Sequence, residues 1–125
     1  MKTIRLQRKV KGTPEEVYIA LTNPFTIELW SGEPAVMSLE PGSAFTMLDG
    51  LIVGENVSFQ PNRSIRQKWF FGEDRSSDVV IDLYPDKEHT LVRVEHSGIP
   101  DEAYRNMLAG WKESYLGSLQ DFFEK

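Results

Sequence analysis

PDEAYRNMLAGWKESYLGSLQDFF, residues Pro100 to Phe123, is the stretch whose reading decides the fold. Tyr104, Met107, Leu108, Trp111, Tyr115, Leu119 and Phe122 recur at steps of three and four. That spacing puts them on one face of a 3.6-residue period. Glu102, Arg105, Asn106, Glu113 and Gln120 fall on the opposite face. Pro100 suits a first helical position, and Asp101 and Glu102 place negative charge at the positive end of the helix dipole. The pattern predicts one long amphipathic helix of roughly 36 Å. Four large aromatics on its stripe require a wide apolar partner surface. Gly110 and Gly117 lie on one flank, each at a cost of ~1 kcal/mol against Ala, and are expected to admit a close neighbour.

Upstream of this helix the period is two. Ile4, Leu6 and Val10 alternate with Thr3, Arg5, Gln7 and Lys9, the pattern of a half-buried strand. Thr13-Pro14-Glu15-Glu16 is a capping-box sequence and predicts a short helix from Pro14 to about Leu21. Asn23-Pro24 ends it and starts a second short helix through Leu29 and Trp30, with a kink between them. From Pro34 on, strands are expected at Val36–Leu39, Ala44–Leu48, Leu51–Phe59, Ile65–Phe71, Val79–Tyr84 and Thr90–His96. The signals between them are Glu40-Pro41-Gly42, Asp49-Gly50 (a hairpin pair) and Gln60-Pro61-Asn62. Gly54 marks a bulge or a point of close approach. Every connection in this stretch is hairpin-like. The fold class is therefore α+β: an antiparallel meander, closed by the first strand, packed on the long helix.

Composition bounds the function. A chain of 125 residues is expected to be a single domain, residues 1–125, able to bury a core without staples. Its net charge is −5 and its pI about 5.0, which argues against a general nucleic-acid surface. It has no cysteine, so disulfides, thiolate nucleophiles and thiolate zinc sites are excluded. No apolar run approaches the ~18 residues of a membrane span. The basic, alternating start lacks an apolar signal core, so a cytoplasmic protein is expected. Glu73, Asp74 and Asp78 share no calcium-loop spacing and have no histidine beside them, so no metal is expected. No phosphate loop, nucleophile elbow or paired-histidine helix is present, and no cofactor is implied.

The residues most suited to face between sheet and helix are Trp30, Met37, Phe45, Met47, Trp69, Phe71, Tyr104, Met107 and Trp111. They can be read as the wall of a pocket for a hydrophobic or aromatic molecule, or as filled core. His96 shares the inward face of its strand with Thr90, Val92 and Val94. It is either a polar contact or general base beside Trp69 and Tyr104, or a core histidine with its bonds satisfied inside the protein. Arg93 and Glu95, with Arg66 and Lys68, form a charge ladder on the outer face.

The order strand, two short helices, six strands and long helix resembles the helix-grip fold of the START and Bet v 1-like superfamily. Within it the chain resembles the family of activators of the heat-shock protein 90 ATPase. The residues that carry this are Thr13-Pro14-Glu15-Glu16-Val17 with Asn23-Pro24 and Trp30; Gly42-Ser43-Ala44-Phe45; Asp49-Gly50-Leu51-Ile52-Val53-Gly54; Pro61 and Lys68-Trp69; Ser77 to Asp82; Thr90 to His96; and Gly98-Ile99-Pro100 with Gly110-Trp111. Eukaryotic members carry a separate amino-terminal domain ahead of this one, and here the first strand is expected to open the chain.

The resemblance implies a curved sheet wrapped on the helix with a cavity between them. It implies three functional expectations. The first is non-enzymatic binding of a hydrophobic small molecule, with the nine apolar residues above and His96 as the site. The second is a co-chaperone-like interaction with a heat-shock protein 90 homologue. The third is a cyclase or hydrolase in the same cavity, which needs two converging titratable groups. The chain is expected to be a monomer, its helix stripe satisfied internally, or a dimer through an edge strand.

Overall fold

Thr13 opens the first helix as its residue type predicts. In the computed structural model, which describes residues 1–124, its hydroxyl accepts from the Glu16 backbone N–H at 3.2 Å, and Glu16 Oε1 accepts from the Thr13 N–H at 2.9 Å. This box starts α1 (Pro14–Thr22) after β1 (Lys2–Val10). Asn23 ends α1 and caps α2 (Pro24–Ser31), its Oδ1 accepting from the N–H groups of Phe25 and Thr26 at 3.0 and 3.1 Å. The Trp30 indole N–H donates to the Ala20 carbonyl at 2.7 Å and pins α2 against α1.

The sheet has six antiparallel strands in the order β1-β6-β5-β4-β3-β2: β2 (Ala44–Met47), β3 (Ile52–Gln60), β4 (Ser64–Phe70), β5 (Ser76–Asp86) and β6 (His89–Ile99) join β1. The expected meander closed by the first strand is therefore present. The expected strand at Val36–Leu39 is not. Only Val36 pairs, with Thr46, by two backbone bonds of 3.0 Å. Beyond it the Ser38 carbonyl is taken by the Asn56 side chain at 3.1 Å instead of a ladder partner. Inward residues alternate as the period requires: Ile65, Gln67 and Trp69 on β4, Ser77, Val79, Ile81 and Leu83 on β5, and Thr90, Val92, Val94 and His96 on β6 are all buried. On the outer face Arg5 meets Glu95 at 2.9 Å, Lys68 meets Asp78 at 3.2 Å, and Arg93 lies over the Tyr84 ring at 5.0 Å. Such exposed pairs contribute ~0–1 kcal/mol each.

Gly54 is a point of close approach. A Cβ there would collide with the Lys68 carbonyl oxygen of β4 and with the Phe45 ring.

The long helix is not a continuous α-helix. It begins as a 3₁₀ turn (Asp101–Ala103), continues as α3 (Tyr104–Gly110), widens into a π turn (Trp111–Tyr115) and ends as α4 (Leu116–Phe123). In the wide turn the Leu116 N–H reaches back to the Trp111 carbonyl, five residues away. Gly117 is what permits this: a Cβ there would lie 2.7 Å from the Lys112 carbonyl oxygen. The extra residue in the turn rotates α4 about its axis, so Leu116, off the expected stripe, is fully buried together with Leu119. None of the helices among the described residues is long and apolar enough to cross a membrane.

Candidate functional site

Five positions on the long helix, Ala103, Asn106, Met107, Gly110 and Ser114, share a stripe at steps of three and four, and four of them are small or polar. Opposite stand large rings, Trp69 of β4 and Phe71 just past its end. Small residues facing large ones across a curved sheet leave a space. It is an open cleft of about 310 Å³, completed by Leu48, Leu51 and Ile52 of the β2–β3 hairpin and by Trp111 and Tyr115 of the π turn. No charged side chain among the described residues lines it.

Its inner wall is aromatic and rigid. Trp69 and Trp111 stack with ring centroids 4.7 Å apart and planes 12° from parallel. Tyr115 packs on Trp111 at 4.5 Å and on Trp30 at 5.2 Å. Such pairs add ~0.5–1.5 kcal/mol each beyond the area they bury.

Both indoles of this wall are fixed from behind by buried polar chains. In the first, the Trp111 N–H donates to His96 Nδ1 at 3.0 Å, and His96 Nε2 lies 2.7 Å from Ser77 Oγ. The Ser77 hydroxyl lies 2.9 Å from the Trp69 carbonyl, to which it donates. An indole nitrogen only donates, so Nδ1 is the acceptor, and the proton of the neutral ring sits on Nε2 and points at Ser77. Burial lowers the His96 pKa to about 4, against a smaller upward pull from Asp78. His96 is thus neutral near pH 7, with its one lone pair occupied. In the second chain, the Trp69 N–H donates to Gln67 Oε1 at 2.9 Å, and Gln67 Nε2 donates to Asn56 Oδ1 at 2.9 Å. Asn56 Nδ2 then reaches the Ser38 carbonyl and Ser43 Oγ, both at 3.1 Å, tying the α2–β2 loop to the wall. Every fully enclosed side-chain polar atom among the described residues has a partner.

Tyr115 differs. It is 2% exposed and makes no side-chain hydrogen bond among the described residues. No enclosed polar atom lacks a partner, so its hydroxyl is not wholly enclosed, and the residue lines the cleft. Burial raises its pKa, so it stays a neutral phenol able to donate and to accept.

Of the residues singled out from the sequence, Trp69, Phe71, Met107 and Trp111 line the cleft. His96 is buried behind Trp111. Phe45 and Met47 are wholly enclosed core. Trp30 backs Tyr115, Tyr104 sits half-buried under the Lys2 ammonium at 5.7 Å, and Met37 borders a separate groove with Tyr18 and Leu39. The sequence reading missed Tyr115, Asn106, Ser114 and the hairpin leucines as cleft residues, and Asn56 and Gln67 as supports. The small stripe on the helix was the available signal for the first group. For the second it was two amides on inward strand positions.

An antiparallel sheet wrapped on a long terminal helix, with two short helices after the first strand and a cleft between the layers, is a helix-grip protein. Residues 11–124 match the family described as Activator of Hsp90 ATPase homolog 1-like protein, and the chain belongs to it. It is 29% identical over 115 residues to the mouse activator of 90 kDa heat shock protein ATPase homolog 2, covering 90% of this chain and 35% of that protein. With the human homolog 1 it shares 25% identity over 123 residues, covering 96% of this chain and 36% of the relative. The chain thus spans about a third of the length of these curated relatives. In structure it resembles an HSP90 activator from Plasmodium falciparum with a TM-score of 0.90 at 24% identity, covering 99% of this chain and 97% of that one.

Proposed function

We propose that this protein binds a hydrophobic, aromatic small molecule in the cleft between the sheet and the long helix, without chemistry on it. The observation that carries this reading is the wall itself: two stacked indoles, fixed from behind by their own hydrogen bonds, face an open space of about 310 Å³ with no charged lining. That volume is at the small end of the ~300–1,000 Å³ typical of ligand sites. A binder is favoured over a cyclase or hydrolase because the one basic nitrogen of His96 is occupied and Tyr115 is the only titratable group in the lining among the described residues. The test is tryptophan fluorescence titrated with a panel of apolar aromatic compounds, with thermal melting in parallel. Saturable quenching with a matching rise in Tm is expected. A flat response across the panel would overturn the reading.

A second reading rests on the family. Its relatives carry the name of heat shock protein 90 ATPase activators, so a chaperone of that class is a candidate partner, which would place the protein in the cytoplasm. Phe25 and Leu29, one turn apart on α2, are 78% and 70% exposed and would serve as apolar anchors. Residues 1–125 would act here as a single unit. Sedimentation of the chain with the host's chaperone at micromolar concentration, and the chaperone's ATPase rate, decide this reading. A complex weakened by Phe25→Ser is expected, and two independent sedimenting species would rule it out.

A further inference from the structure

The cleft continues into a second concavity, and the two have opposite character. Leu48, Leu51 and Ser114 border both. Beyond them the surface is lined by Ser31, Ser118 and two carboxylates, Glu33 and Asp49, with no basic side chain among the described residues. Neither carboxylate takes part in an ion pair among the described residues. An aromatic slot thus opens on one side onto uncompensated negative charge, in a chain whose net charge is −5. The slot is also lined by the nearly enclosed Tyr115, whose side chain makes no hydrogen bond among the described residues.

From this geometry we infer that the ligand is an aromatic amine: a flat apolar ring system in the slot, carrying a cationic nitrogen that extends toward Glu33 and Asp49. This rests on the cleft being a ligand site and names the chemistry it selects. Three features disfavour the other classes. A carboxylate or phosphate amphiphile would find no basic partner among the described residues of either concavity, and its anion would meet two of its own sign. A simple hydrocarbon would leave the Tyr115 hydroxyl without a partner once water is displaced. A neutral aromatic would fill the slot but gain nothing from the acidic rim. Both carboxylates are exposed, so the preference is salt-sensitive: it is screened beyond about 10 Å at 0.1 M salt.

The experiment is calorimetric titration of the whole chain with three probes of one shape and different charge: naphthylmethylamine, naphthylmethanol and naphthoate. The amine is expected to bind roughly threefold to tenfold more tightly than the alcohol at low salt, with the gap closing at high salt, and the carboxylate most weakly. In the double variant Glu33→Gln/Asp49→Asn the advantage of the amine is expected to vanish. Asn suits position 49, whose φ is 56° beside Gly50, so the turn keeps its shape. Equal binding of amine and alcohol, or an amine advantage that survives the double variant, would overturn the inference and leave the cleft a binding site. Tightest binding by the carboxylate would do the same. No binding by any of the three would remove the cleft reading itself.

Discussion

No residue of α3 is buried, whereas Trp111 and Tyr115 in the π turn and Leu116 and Leu119 in α4 are all 2% exposed or less. One helix crosses one sheet, yet its second half is core and its first half is the wall of a cleft. The difference lies in what each half presents. The second half offers Leu and aromatic side chains, and the wide turn adds Leu116 to the buried face. The first half packs on the core only partly, through Tyr104, Met107 and Leu108, and turns Ala103, Asn106 and Gly110 to the cleft. Packing two layers together does not by itself fill the space between them, and where the helix residues shrink, a cleft is left. The π turn is the boundary between the two regimes, and its two buried aromatics belong to both.

Breaking the boundary should have the largest effect. Trp111→Ala removes the stack on Trp69 and leaves His96 Nδ1 without its donor. A loss of ~3–5 kcal/mol in urea unfolding is expected. Trp111→Phe keeps a ring but still strands that nitrogen, and a loss of ~1–3 kcal/mol is expected. If the two variants cost the same, the polar chain rather than the packing holds the boundary.

The same polar chain gives a pH dependence. The unfolded histidine takes up a proton near pH 6.5, and the folded one only near pH 4. Stability supplied by His96 is therefore fully present above pH 6.5 and is lost as pH falls toward 4, by about 3 kcal/mol across the window. Urea unfolding of the wild type and of His96→Gln from pH 7.5 to 4 isolates this term, since the other groups are common to both. Parallel curves would mean that the ring is protonated in place.

Most of the layout was legible in the sequence because it rests on short-range rules. The Thr13–Glu16 box, the Asn23-Pro24 break and the alternation on β5 and β6 each state their structure locally. The π turn was not legible, because Trp111, Tyr115 and Leu119 fit an α-helical stripe equally well. Only Leu116 off the stripe and a glycine at 117 hint at an extra residue in the turn. The strand expected at Val36–Leu39 has the right residue types, but the Asn56 amide takes the Ser38 carbonyl, a contact between residues far apart in the chain. The candidate site was half legible. Trp69, Phe71, Met107 and Trp111 were found from apolarity, but apolarity cannot tell the cleft lining from Phe45 and Met47, which are core. That depends on the space left by residues on another element.

The two glycines of the long helix separate the halves more finely. At Gly117 an added Cβ meets the Lys112 carbonyl oxygen at 2.7 Å. Gly117→Ala must therefore shift the π turn, at an expected cost of ~1–3 kcal/mol. It should also alter fluorescence, because Trp111 lies in that turn.

At Gly110 the same methyl meets nothing within 4 Å, since the residue faces the cleft. Gly110→Ala therefore adds helix propensity without a clash, and stabilisation of up to about 1 kcal/mol is expected. The methyl also projects into the slot, so affinity for aromatic probes should fall while stability rises. That opposition is what distinguishes a cleft wall from core, where a methyl that fits strengthens both packing and function. A destabilised Gly110→Ala would mean that the first half of the helix packs as tightly as the second.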